Sequence, residues 1–387
     1  MPSSPDPWYP LTMNSGAVLR NRFMLAPMTT NASDPDGQVS SPELGYLARR
    51  GATQFGAVIT SCAYIHPDGR AWHGIGAMDE RHLDSLSAVA TAARGNGGTA
   101  ILQIYDGGRI ALPELAGPQG IRGPSPIPSA RPNAAVPREL TDFEIRELIK
   151  GFGTAAELGI RAGFDGVEIH GANHYLIHQF FSPRANQRDD EWGGDLERRA
   201  SFALRITREV RAAVGPDAIV GFRLTPFESE SQGYTLDESA SLAGYLAEER
   251  IDYIHVSMDD FRRNSPQPED RDWTKARVRV ESRNPIDTIS AIVAGRCAVV
   301  ASGGIRTMAD ALDALAAGAD LLAIGRAALI DPEWVEKLKT DAEQSIRTEL
   351  PDDEAEIESH LTIPARMVRY LLSRPGWIPR MTSSGTK

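Results

Sequence analysis

Eight short apolar runs recur along the chain, each bounded mostly by glycine, proline or charged residues: Phe23–Met28, Ala57–Ala63, Thr99–Tyr105, Gly166–His170, Ile219–Thr225, Tyr253–Ser257, Ala298–Ser302 and Leu321–Gly325. Runs this short and this uniformly apolar predict strands buried on both faces, as in a parallel sheet. Between them lie stretches that predict helices at Pro42–Arg50, Asp79–Arg94, Thr141–Ala162, Leu196–Val214, Leu236–Glu248, Pro285–Ala294, Met308–Ala317 and Pro332–Lys339. Thr141-Asp-Phe-Glu144 has the spacing of a capping box, and the amphipathic segment from Asp310 stops at Gly318.

Eight strand–helix repeats predict an α/β fold of the (β/α)8 barrel type, one TIM-barrel domain over residues 1–387, with its core at about 20–340 and a C-terminal extension at 341–387. A doubly wound open sheet is the alternative, but the chain has no Gly-x-Gly-x-x-Gly turn. Two interruptions are too long for ordinary connections: Gly107–Arg138, rich in proline and glycine, and Phe261–Arg283, polar and highly charged. After a barrel strand such loops lie on the catalytic face. Glu349–His360 reads as an acidic, solvated loop and Met381–Lys387 as a disordered end.

Charge and composition narrow the function. A net charge of −11 argues against nucleic acid as a partner. The first ten residues contain no apolar core of a signal peptide, and no run approaches the ~18 apolar residues of a membrane span. Cys62 and Cys297 are the only cysteines, which excludes a disulfide framework and a cysteine-held cluster. A soluble cytoplasmic protein fits, alone or as a homo-oligomer.

The chemistry concentrates at strand exits. His170, Asn173 and Tyr175 follow the fourth run, where two donors and a phenol can polarise a carbonyl oxygen and deliver a proton. The seventh run ends Ser302-Gly303-Gly304 and the eighth Gly325-Arg326, the two exits that commonly bind phosphate in this fold. Met28, Thr29, Cys62, Gln103 and Arg223 lie at or near other exits. A glutamine can pair with a ring imide and an arginine can stabilise charge on a reduced heterocycle, so the set suits flavin mononucleotide better than a sugar phosphate.

The chain resembles the old yellow enzyme family of FMN-dependent NAD(P)H oxidoreductases. The motifs that carry the resemblance are Asn21–Thr29, Leu102-Gln103 with Gly108-Arg109, His170–Gly194, and Ser302–Arg306 with Ala323–Arg326; they occur in the family's order over roughly residues 15–340. The resemblance implies FMN, with NADH or NADPH as reductant, and an enone or related activated alkene as substrate. It places Pro27, Met28, Thr29, Cys62, Gln103 and Arg223 around the flavin ring, and Ser302, Gly303, Gly304, Gly325 and Arg326 at its phosphate. It assigns the substrate oxygen to His170 and Asn173, proton delivery to Tyr175, and pocket shape to Tyr105. The chain departs from the family at Asp106, where histidine is frequent; a carboxylate there is expected near the site's rim. Without a cysteine cluster, it resembles the short, FMN-only branch.

Other readings have less support. His170, His174 and His178 are four apart, but Gly171 makes a shared helix face improbable, and no metal site is expected. A barrel metallohydrolase commonly shows a His-x-His pair, absent here. A Schiff-base aldolase needs a strand-end lysine, and none of Lys150, Lys275, Lys337, Lys339 and Lys387 falls on a predicted strand. A non-catalytic flavin-binding redox protein has no use for a placed acid such as Tyr175. Cys62 reads as a small buried residue at least as well as a redox-tuning thiol. Arg374 reads as a surface packing residue in preference to one reaching a neighbouring subunit's pocket, as C-terminal arginines do in some relatives.

Overall fold

The computed structural model of the chain describes residues 6–230, 232–266 and 282–381. Eight parallel strands form a closed ring: Phe23–Leu25 (β1), Ala57–Ile59 (β2), Thr99–Tyr105 (β3), Gly166–Gly171 (β4), Ile219–Leu224 (β5), Tyr253–Val256 (β6), Ala298–Ser302 (β7) and Leu321–Ile324 (β8). Each pairs with the next, and Ile324 on β8 pairs back with Leu25 on β1. The fold is the (β/α)8 barrel that the apolar runs predict. β1 and β2 stop earlier than their runs. Pro27 has no N–H for a ladder, and the residues beyond Leu25 leave the sheet for the barrel mouth.

The helices are Ser41–Gly51 (α1), Leu83–Arg94 (α2), Asp142–Arg161 (α3), Leu176–Phe181 (α4), Leu196–Val214 (α5), Leu236–Glu248 (α6), Pro285–Val293 (α7), Met308–Ala316 (α8), Arg326–Ile330 (α9), Trp334–Lys339 (α10), Glu354–Leu361 (α11) and Ala365–Leu372 (α12). The capping box at Thr141 forms: Glu144 N donates to Thr141 Oγ1 over 3.3 Å and Thr141 N to Glu144 Oε2 over 2.9 Å. One expectation is corrected here. Glu349–His360 is not a solvated loop throughout, because α11 begins at Glu354 and buries Ile357 and Leu361 on the barrel's outer core. Parts of two others, residues 267–281 of the charged interruption and 382–387 of the tail, lie outside the described residues.

Two apolar shells hold the barrel. Its interior packs Met24, Ile59, Ile101, Tyr253, Val300 and Leu321. Tyr253 fills the lumen opposite Gly221, where a Cβ would fall 2.1 Å from the Tyr253 ring. A small hairpin, Leu11–Thr12 with Val18–Leu19, adds Met13 and Leu19 to this cluster. Asn14 Nδ2 donates to the carbonyls of Ile251 and Arg296, so the hairpin closes the N-terminal end of the barrel. The C-terminal end is left for chemistry. At the end of α1, fully buried Arg50 donates to the carbonyls of Ala328 and Leu361 and ties the last helices to the barrel, while Tyr370 of α12 lines the cavity at its mouth. No helix among the described residues is long and apolar enough to cross a membrane.

Candidate active site

Strand register assembles the site's floor. Gln103 lies beside Glu168, His170 beside Arg223, and Arg223 beside His255. Side chains two apart on a strand share a face, so Glu168 and His170 both point inward. Glu168 is fully buried and accepts from Gln103 Nε2 at 2.6 Å, Tyr253 Oη at 3.0 Å and His255 Nδ1 at 3.0 Å. Burial alone would raise its carboxyl; His255, Arg223 and Gln103 outweigh that and hold it below the ordinary value. Arg223 Nε is buried with no partner among the described residues.

Above this floor is a cavity of about 370 Å³. His170 accepts a hydrogen bond at Nδ1 from Ala172 N, 3.2 Å away. Desolvation, with Arg223 and His255 nearby, pushes its pKa well below the usual histidine value. The ring is therefore neutral with its proton on Nε2, an available donor. Asn173 sits at φ 55°, fixed by a 3.0 Å bond from its N–H to Thr225 Oγ1. Ser257 Oγ donates to Asn173 Oδ1 at 3.2 Å, which leaves the amide Nδ2 as the free donor. Tyr175 leans edge-on against His170, 4.7 Å between centroids, and against Tyr105 at 5.1 Å. Desolvation, with Cys62 nearby, raises its phenol well above the ordinary tyrosine value, so it keeps its proton at neutral pH.

A second cleft continues from the first, sharing Pro27, Met28, Arg223 and Trp377. Ser302, Gly303, Gly304, Gly325 and Arg326 line it. Gly303 has φ 90°, and a Cβ there would lie 2.4 Å from Met258 O. Arg326 Nη2 donates to Asp259 O at 2.5 Å, which aims the guanidinium along the cleft edge. The Ser302 hydroxyl is turned inward, donating to Val256 O at 2.8 Å, so only the rest of that residue faces the cleft.

The structure brings together nearly every residue marked in the sequence. Thr29, Cys62 and Gln103 line the first cavity beside His170, Asn173, Tyr175 and Arg223. Tyr105 does not: it is fully buried and stacks on Trp72, centroids 4.8 Å apart and planes 5° apart, and Trp72 takes the lining position. Burial raises the Cys62 thiol, so it is not a thiolate. Asp106 is corrected from a rim carboxylate to a buried one. It pairs with Arg122 at 2.7 Å, accepts from Gly108 N, and its carbonyl receives Leu176 N at 2.9 Å, which fixes the entry to α4 beside Tyr175. Arg374 is exposed and packs as a surface residue, 4.4 Å over the Tyr370 ring and 5.6 Å from that of Trp377, where it also lines the edge of this cavity. Trp72, Arg131, Tyr370 and Glu168 were not marked; of these, only Glu168 carried a signal, a lone acid inside an apolar strand.

Comparison with known proteins gives the family. The profile of the NADH:flavin oxidoreductase / NADH oxidase family matches residues 8–345. A probable NADH-dependent flavin oxidoreductase of Bacillus subtilis is 38% identical over 375 residues, 96% of each chain. The chain belongs to the old yellow enzyme family. An NADH:fumarate oxidoreductase of Klebsiella pneumoniae is 37% identical over 94% of this chain, which spans 38% of that longer protein. Among solved structures, morphinone reductase superposes with a TM-score of 0.74 at 25% identity, covering 89% of this chain and 91% of that one.

As an old yellow enzyme the chain is an FMN-dependent NAD(P)H oxidoreductase. Its residues fit that cofactor. The glycine-lined cleft admits a group that no side chain could share, the buried Arg223 Nε awaits an acceptor, and Gln103 sits over a fixed carboxylate.

Proposed function

We propose that this enzyme reduces the carbon–carbon double bond of α,β-unsaturated carbonyl compounds. FMN, when bound, would supply the redox chemistry, hydride transfer from NAD(P)H to the alkene's β-carbon. The chain's residues do the rest. Gly303, Gly304, Gly325 and Arg326 would hold the phosphate, and Pro27, Met28, Thr29, Cys62, Gln103 and Arg223 would surround the ring. The observation that carries the reading is the pair of donors in one cavity, His170 Nε2–H and Asn173 Nδ2–H, with a protonated phenol beside them. Two donors on a carbonyl oxygen stabilise the negative charge that develops there as the β-carbon is reduced. Tyr175 then supplies a proton to the α-carbon. Arg131 and Arg374 line the same cavity and favour an anionic reductant and substrates with an acidic substituent.

Incubation of the holoenzyme with NAD(P)H and cyclohexenone or a maleimide, followed by product analysis, tests this. The saturated ketone or succinimide is expected. Formation of the allylic alcohol, or no turnover of any activated alkene, overturns the reading.

A further inference from the structure

Outside the catalytic cavity, three ligating side chains converge where α4 meets the loop after β5. His178 Nε2 lies 3.2 Å from Glu228 Oε1, and His174 Nδ1 lies 3.8 Å from the same oxygen. All three ligand atoms fall within 4.8 Å of one another. A tetrahedral ion with bonds of ~2.1 Å separates its ligands by about 3.4 Å, so the cluster is close to the size of such a site.

Hydrogen bonding decides what belongs between them. Tyr234 Oη donates its one proton to Thr225 O at 2.9 Å, so towards His178 Nδ1, 3.2 Å away, it can only accept. His178 therefore carries a proton on Nδ1. Glu228 Oε2 is already engaged by Ser182 Oγ at 2.6 Å and Tyr234 N at 3.2 Å. What remains is an imidazole Nε2 lying 3.2 Å from a carboxylate Oε1, both buried. Such a contact is stable only with a proton or a cation between the two atoms.

The third group is set by backbone. Asn173 and His174 both adopt positive φ, 55° and 63°, and Gln179 Nε2 holds the His174 carbonyl at 2.7 Å. This turn separates His174 from its neighbours: Asn173 and Tyr175 line the substrate cavity, while His174 lines a separate cleft of about 240 Å³ with Glu228 and Ser257. We infer that His174, His178 and Glu228 form a binding site for a divalent transition-metal ion of the zinc class, three protein ligands with a fourth position open to that cleft. Two imidazoles and a carboxylate are the donor set such an ion prefers. Tyr234 on His178 Nδ1 is the outer partner that fixes the ligating tautomer. The ion would clamp the residue between Asn173 and Tyr175, linking metal occupancy to the setting of the substrate donors.

The test is zinc binding to the FMN holoenzyme, measured by competition with a chromogenic zinc indicator. One Zn²⁺ per chain is expected. His174→Ala, at a half-exposed position, should weaken it by at least ~10-fold, as should Glu228→Gln; the exposed His360→Ala should leave it unchanged. Absence of zinc binding by the wild type overturns the site, as does equal affinity in His174→Ala. Should Glu228→Gln fail to fold, the His174 comparison still decides. Binding is read without turnover, so its outcome is separate from that of alkene reduction.

Discussion

Gln103 Nε2 lies 2.6 Å from Glu168 Oε1, so a fully buried carboxylate holds an amide that lines the cavity. The same carboxylate accepts from Tyr253 and His255. Hydrogen bonds to a charged buried group are worth roughly 1.5–3 kcal/mol each. Glu168→Gln should therefore lower stability by at least about that much, since its new amide N–H₂ meets donors. Equilibrium urea unfolding measures it, and an unchanged midpoint would show that the floor network contributes nothing.

The glycine-lined cleft, the proposed seat of the FMN phosphate, makes a separate prediction. Arg326 is positioned by Asp259 O at the cleft edge. Losing one charge-assisted bond of ~1.5–3 kcal/mol in Arg326→Ala should raise the FMN dissociation constant about tenfold or more. Gly303→Ala should do at least as much, because its Cβ would lie 2.4 Å from Met258 O and its φ is 90°. Flavin fluorescence on dilution of the holoenzyme reads both.

His170 gives a pH signature. Desolvation, with Arg223 and His255, holds its folded pKa well below the usual value, while the unfolded chain titrates near 6.5. Through that window the folded ring stays neutral and its Nε2–H stays a donor. Affinity for a non-ionising carbonyl ligand should thus be flat from about pH 6 to 8, and lost in His170→Ala with Asn173→Ala. The sign for stability is opposite: as pH falls through about 6.5 the unfolded state binds the extra proton, so this group's contribution to stability falls with it. A step in ligand affinity near pH 6.5 would show that His170 titrates freely.

Much of this was legible because the physics was local. Barrel strands announce themselves as apolar runs between glycines, and α3 as a capping box at Thr141 with an amphipathic face. The donors at the fourth strand exit and the glycines at the seventh and eighth lie in contiguous motifs. What escaped was made by tertiary contact. α11 has few apolar residues, and only burial of Ile357 and Leu361 on the barrel makes it a helix worth forming. Trp72, Arg131 and Tyr370 come to one cavity from loops and a helix far apart in the chain, with no periodicity to mark them. Asp106 looked like a rim charge because its partner, Arg122, is sixteen residues away.

Cys62 should be inert. It is buried, and desolvation raises its thiol far above the ordinary value. Iodoacetamide at pH 8 should leave it unmodified in the folded holoenzyme and label it after denaturation, read by mass spectrometry. Rapid labelling of the native protein would show that the cavity floor is open.

The proposed role of Tyr175 as the acid can be tested directly. It stands against His170 and Tyr105 with its phenol held protonated. Stopped-flow traces of the two half-reactions, wild type against Tyr175→Phe, separate its work from ligand positioning. Reduction of the enzyme by NAD(P)H should be nearly unchanged, and reoxidation by cyclohexenone should slow by roughly 10²–10⁴-fold, the range for general acid catalysis. Equal losses in both half-reactions, or none in either, would contradict it.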